Sequence, residues 1–121
     1  MSAGTWIAVA LLGGLAALAR FLLDAAISER LAGSFPAGTL AVNLSGAAVL
    51  GFVSGAALHG AALTIVAGGC LGSYTTFSTW MFESQRLGEV GEAPMLWLNI
   101  GLSLLAGLAA VALGHWAGGL L

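Results

Sequence analysis

Four stretches of this chain, residues 5–23, 37–58, 61–82 and 95–113, each run for 19 to 22 residues, and Arg20 is the only charged side chain in any of them. Crossing the roughly 30 Å hydrocarbon core of a bilayer takes about 20 apolar residues as a helix. A bilayer also admits no unpaired backbone, so a spanning segment is either a helix or part of a closed barrel. The four stretches therefore predict four transmembrane helices in one all-α membrane domain covering residues 1–121. The whole chain, 60% hydrophobic and 7% charged, does not fit a water-soluble globular domain. Met1 to Thr5 carries no side-chain charge and the apolar run after it is too long for a secretory leader, so the first span is expected to stay.

The few charges exclude several functions. Five carboxylates and three arginines give a net charge of −2 and no basic patch able to hold nucleic acid. The single cysteine, Cys70, cannot form an internal disulfide and reads as a small packed helix residue. With His59 and His115 in distant segments, no metal-ligand cluster is in view. No nucleophile elbow, phosphate loop or metal-hydrolase motif occurs, which argues against an enzyme.

The connections are short. Ser28, Glu29 and Arg30, ahead of Gly33, Ser34 and Pro36, read as a loop after the first span. Only His59 and Gly60 separate the second and third spans, which predicts a tight antiparallel hairpin. Residues 83–93, with Gly88, Gly91 and three carboxylates, form the next polar connection, and Pro94 opens the fourth span. Gly51 with Gly55, Gly68 with Gly72, and Gly114 with Gly118 are each four apart, a spacing that lets helices approach closely in lipid, either within one chain or between chains. All three arginines, Arg20, Arg30 and Arg86, lie toward the first and third connections, which by the positive-inside rule puts both termini outside. Arg20 and Arg86 also lie beside span ends, where they could face a pore instead of setting topology.

The anomaly is the run from Ser73 to Thr79, in which six of seven side chains carry a hydroxyl at membrane depth. Gly68, Gly69 and Gly72 precede it, so the third helix is expected to break at mid-membrane, and protein, water or a cation must then satisfy the freed carbonyls. The plainer alternative is an intact helix whose hydroxyls bond back to their own turn. Thr39 and Asn43 in the second span, and Asn99 and Ser103 in the fourth, are four apart and share a face. An intramembrane asparagine is costly unless paired, and its amide offers two donors, suited to an anion or to another helix. Neutral donors from three spans, with Arg20 and without rings of carboxylates, describe a weakly polar anion path.

Phe77 and Trp80, three apart, could present ring edges, which carry partial positive charge, to the same cavity. Such edges, with hydroxyl and amide donors, could replace the water shell of a small, hard anion; packing is the alternative for both rings. Trp6, Trp97 and Trp116 sit nearer span ends, as interfacial anchors do.

Three segments carry a resemblance. Gly13, Gly14 and Arg20 in the first span, FPAGTLAVNLSGAAVLGF over residues 35–52, and GCLGSYTTFSTWMFE over residues 69–83 are similar to the patterns of the Fluc (CrcB-type) fluoride channel family, in order and along nearly the whole chain. The TTFST core is the most specific of them. The resemblance implies passive fluoride export through an antiparallel, dual-topology dimer of four-helix subunits in the inner (plasma) membrane. It further implies two pores and a structural Na+ ion, not transported, held by the carbonyls of Gly72 and Thr75 of both subunits. By position it assigns Asn43, Phe77, Trp80, Ser103, Thr76 and Thr79 to the fluoride pore, and Arg20 and Glu83 to its vestibule. Implied partners are thus fluoride, membrane lipid and a second identical subunit.

The chain departs from that pattern at Trp80, where phenylalanine is usual, and at Asn99, where a tyrosine often lies. The indole keeps an edge and adds an N–H donor, so fluoride flux is expected at an altered rate; the change also fits a chain that pairs with a paralogous subunit. A proton-coupled multidrug exporter, also a small four-helix dimer, needs a membrane-embedded carboxylate, and the first span has none before Asp24. An assembly subunit whose hydroxyl run merely packs is the structural alternative.

Overall fold

The computed structural model describes all 121 residues, and it contains helices and no strands. Helix α1 spans Ala3–Arg30, α2 Ala37–Gly55, α3 Gly60–Leu63, α4 Gly72–Tyr74, α5 Ser78–Glu89 and α6 Ala93–Gly118, with a π-helical stretch, Thr64–Leu71, joining α3 to α4. Three of these, α1, α2 and α6, are long and apolar enough to cross a membrane. Residues 60–89 form two helical pieces separated at Thr75, Thr76 and Phe77, where Thr75 is extended (φ −80°, ψ 159°). The interruption follows the glycines and does not fall among them: Gly68 and Gly69 lie in the wide π turns and Gly72 opens α4.

Two boundaries differ from expectation. Ser28, Glu29 and Arg30 are helical, and α1 ends at Arg30 with no loop before Leu31. Hydropathy marks where a helix leaves lipid, and nothing in residues 24–30 breaks a helix: the Ser28 hydroxyl donates to Asp24 one turn earlier (3.2 Å), and Arg30 suits the C-terminal dipole. At 1.5 Å per residue α1 is about 42 Å long, more than a hydrocarbon core needs. Helix α2 stops at Gly55, three residues before the expected end, because the chain turns over on itself. Leu58 N–H donates to the Val53 carbonyl and Ala57 N–H to that of Ser54 (3.0 and 3.1 Å), around Ala57 at φ +56°. That is the Schellman pattern, usually built on glycine. The end of α5 repeats it with the usual residue: Glu92 N–H reaches Leu87 (2.8 Å) around Gly91 at φ +82°.

The helix neighbours also differ. The expected hairpin between the second and third spans gives way to a close pairing of α2 with α6. A side chain at Gly51 or Gly55 would meet the carbonyls of Val111 or His115, and one at Gly114 or Gly118 those of Ala48 or Phe52. Both spaced glycine pairs thus interlock within one chain, backbone against backbone. Gly13 of α1 does the same with Gly69 and Ser73, where a Cβ would lie 3.1 Å and 3.0 Å from the carbonyl oxygen and the hydroxyl. Gly68 faces open space.

Only 13 of 121 residues are buried, and Val42 and Leu87 are the only larger apolar ones among them, while leucines, tryptophans and phenylalanines cover the outside. An apolar exterior around so thin an interior suits a solvent of lipid. The chain is a multi-pass membrane protein.

Candidate functional site

The helix interruption is held open by side chains. Asn43, in α2, pairs with both backbone polar groups of one residue: its Nδ2 donates to the Thr76 carbonyl and its Oδ1 accepts from the Thr76 N–H, both at 2.8 Å. In a continuous helix that N–H would serve the Gly72 carbonyl, which is thereby released. Three residues later the same happens by another means. The Thr79 N–H, which would bond the Thr75 carbonyl, is taken by Thr76 Oγ1 (3.2 Å). Among the backbone bonds outside the helices, none ends on Gly72 O or Thr75 O. Two neutral oxygens freed of their own ladder have the donor chemistry a hard cation accepts, so these carbonyls fit a Na+ site. No group of three acidic, histidine or cysteine side chains offers another metal site.

The remaining predicted residues fall around this point. A groove of about 400 Å³ is lined by Asn43, Gly72, Thr75, Thr76, Phe77 and Trp80, among others. Next to it, a groove of about 280 Å³ joins Asn43 and Trp80 to Ser103 of α6. Arg20 of α1 borders a cavity of about 190 Å³ with Asp24, Thr39, Thr76 and Thr79. Thr76 Oγ1 also donates to Thr79 Oγ1 (3.0 Å), and Thr39, 3% exposed, donates its hydroxyl to Glu83. Glu83 in turn borders a wider cavity of about 440 Å³ with Arg86 and Glu92, under the connection between α1 and α2. Hydroxyls therefore lead from the groove at Phe77 toward the carboxylate at Glu83.

Phe77 stands 69% exposed on the outside of the single chain, and Trp80 packs against it edge to face, centroids 5.7 Å apart and planes at 84°. Two sequence expectations change here. The indole N–H of Trp80 is not free to meet an ion, because it donates to the Asn99 carbonyl of α6 (3.3 Å). Asn99 itself lines none of these cavities; it is 1% exposed between α5 and α6, its Nδ2 donating to Ser84 Oγ (2.8 Å). Sequence reasoning missed Ser84. The available signal was the cost of an unpaired asparagine in lipid, which demanded a partner on a neighbouring helix.

Residues 7–115 match the family described as CrcB-like protein, Camphor Resistance (CrcB). The chain belongs to the CrcB family. A relative in Mycobacterium tuberculosis (strain ATCC 25618 / H37Rv), named fluoride-specific ion channel FluC 2, is 48% identical over 116 residues, covering 96% of this chain and 92% of the relative. One in Leifsonia xyli subsp. xyli, named fluoride-specific ion channel FluC 1, is 44% identical over 119 residues, 94% of this chain and 86% of the relative. A third in Rubrobacter xylanophilus, also named fluoride-specific ion channel FluC 1, is 42% identical over 106 residues, with 87% and 86% covered. These CrcB relatives are named as channels, in agreement with a chain that is not an enzyme.

Proposed function

We propose that this chain is one subunit of a channel that lets fluoride leave the cell passively through the inner (plasma) membrane. The carrying observation is the backbone N–H and carbonyl of Thr76 clasped by Asn43 beside the ring pair Phe77 and Trp80, in a groove open to the outside of the subunit. The names of its CrcB relatives, fluoride-specific ion channels, suggest the ion.

Fluoride gives up its hydration only to donors that replace it closely without holding it fast. Asn43 keeps one N–H after binding Thr76, Ser103 and Thr79 add hydroxyls, and the aromatic rings add polarised edges. Arg20 attracts the anion at the mouth and Glu83 terminates the hydroxyl track.

In this reading the interrupted segment over residues 60–89 is the fourth crossing. Two subunits meet antiparallel, as a dual-topology homodimer, and close the groove on each side into a pore. The carbonyls of Gly72 and Thr75 from both subunits hold a structural Na+, which supplies charge to bind the two interruptions together and is not transported. Glycine at 68, which faces open space, leaves room for a second subunit's close approach.

The test is fluoride efflux from proteoliposomes loaded with potassium fluoride, with valinomycin carrying the countercurrent of potassium. Fluoride efflux above that of empty vesicles, with chloride retained, is the expected result. No efflux, or equal chloride efflux, defeats the proposal.

A further inference from the structure

Asn99 is among the most enclosed side chains in the molecule, yet it is polar and lies in a helix that is apolar almost throughout. Its bonds form a closed ring between α5 and α6. Asn99 Nδ2 donates to Ser84 Oγ at 2.8 Å, Ser84 Oγ donates to the Trp80 carbonyl at 2.8 Å, and Trp80 Nε1 donates back to the Asn99 carbonyl at 3.3 Å. Ser103 Oγ reaches Asn99 Oδ1 from one turn on, at 3.5 Å.

Trp80 is the member of that ring with a face on the grooves. Its indole is a wall common to the groove at Phe77 and the groove at Ser103, and it is the only ring stacked with Phe77. A tryptophan side chain rotates between a few wells. What selects one well here is the N–H bond to α6, which a swung indole would forfeit. The bond is kept short of drifting by Asn99 and Ser84, which tie α5 to α6 at the same level.

We propose that Asn99 and Ser84 are positioning residues: they fix the Trp80 indole as the shared wall of the two grooves, and through it the Phe77 ring, and so set how sharply the path separates fluoride from larger anions. This inference rests on the fluoride-channel reading and deepens it. Asn99, being enclosed, meets no ion; it acts through Trp80 and Ser103. Loosening the wall widens the passage, so a larger anion gains more than fluoride does.

The experiment measures fluoride and chloride efflux in parallel from proteoliposomes holding the wild-type chain, Asn99→Leu, Ser84→Ala, Trp80→Phe, and Asn99→Leu combined with Trp80→Phe. Leucine keeps the branched outline of asparagine while removing its polar atoms; because it is bulkier, Ser84→Ala serves as the variant free of overpacking. The fluoride-to-chloride ratio is expected to fall about 3- to 20-fold in Asn99→Leu and in Ser84→Ala, the span of one intramembrane hydrogen bond. In the Trp80→Phe background, which has no indole N–H to hold, adding Asn99→Leu is expected to lower the ratio no further. A side chain that merely stabilises the fold would leave the ratio alone, or lower it equally in both backgrounds; either result overturns the inference. If Asn99→Leu does not elute as the wild type does on size exclusion, Ser84→Ala cuts the same ring at its smallest side chain and carries the same expectation. A wild-type chain that passes no fluoride refutes the channel reading, whereas normal wild-type flux with an unmoved ratio in the variants refutes the positioning role alone.

Discussion

Asn43 faces two ways at once, bonding the Thr76 backbone N–H and carbonyl while lining the open groove. Asn43→Asp keeps its shape and the acceptor for the Thr76 N–H but puts an anionic charge where donors stood. Like charges in a medium of low dielectric repel by several kcal/mol, so fluoride efflux in proteoliposomes should drop by at least about 10-fold; efflux equal to wild type would move Asn43 out of the path. Phe77→Ile separates function from stability. The ring is mostly exposed, so thermal unfolding should shift by no more than about 0.5 kcal/mol, while efflux should fall to that of empty vesicles. Unchanged flux would remove Phe77 from the pore. The sequence made plain that an asparagine at this depth needs a partner, yet not which one, because the partner is the backbone of a residue 33 positions away whose availability depends on where the helix opens. The Trp80 N–H misled for the same reason: its acceptor is a backbone carbonyl, which residue identity does not mark.

The spaced glycines announced close helix contact without naming the contact. Gly51 and Gly55 meet the backbone of α6, and Gly114 and Gly118 that of α2, whereas chain order suggested α2 beside the third span. Adding one methyl at Gly114 or Gly118 forces the helices apart, so Gly114→Ala and Gly118→Ala should each lower stability by about 1–3 kcal/mol, read as a lower Tm in detergent. An unchanged Tm would mean that α2 and α6 are not interlocked there. Ala57→Gly should act in the opposite sense. An L-residue pays about 1–2 kcal/mol in the left-handed region that glycine enters freely, and Gly91 holds the equivalent place at the end of α5; a higher Tm is expected, and a lower one would show that Ala57 is not strained. The three long apolar helices α1, α2 and α6 could be read from hydropathy, whereas the third apolar stretch is divided into shorter pieces. The extension of α1 to Arg30 could not, since the end of an apolar run and the end of a helix obey different rules. Nor could the wide turns of Thr64–Leu71 be foreseen, because the i−5 ladder is a response to packing and has no residue code.

At the level of the molecule, the released carbonyls make a cation requirement testable. If the proposed dimer holds Na+ there, exchanging all sodium for N-methylglucamine should reduce fluoride efflux and promote dissociation of that dimer, since an ion that binds only the assembled state stabilises it by mass action. Efflux and assembly indifferent to sodium would leave Gly72 and Thr75 as plain backbone. The apolar character of the chain foretold its solvent, but the composition was silent on how little of the chain would be enclosed: 13 residues in all, with Val42 and Leu87 the only larger apolar ones. A chain of that kind has almost no private interior. Most substitutions along its flanks would pass unnoticed by its own fold and be felt first by whatever lies alongside, so tolerance to change has to be judged on the assembled, lipid-embedded object and not on one polypeptide.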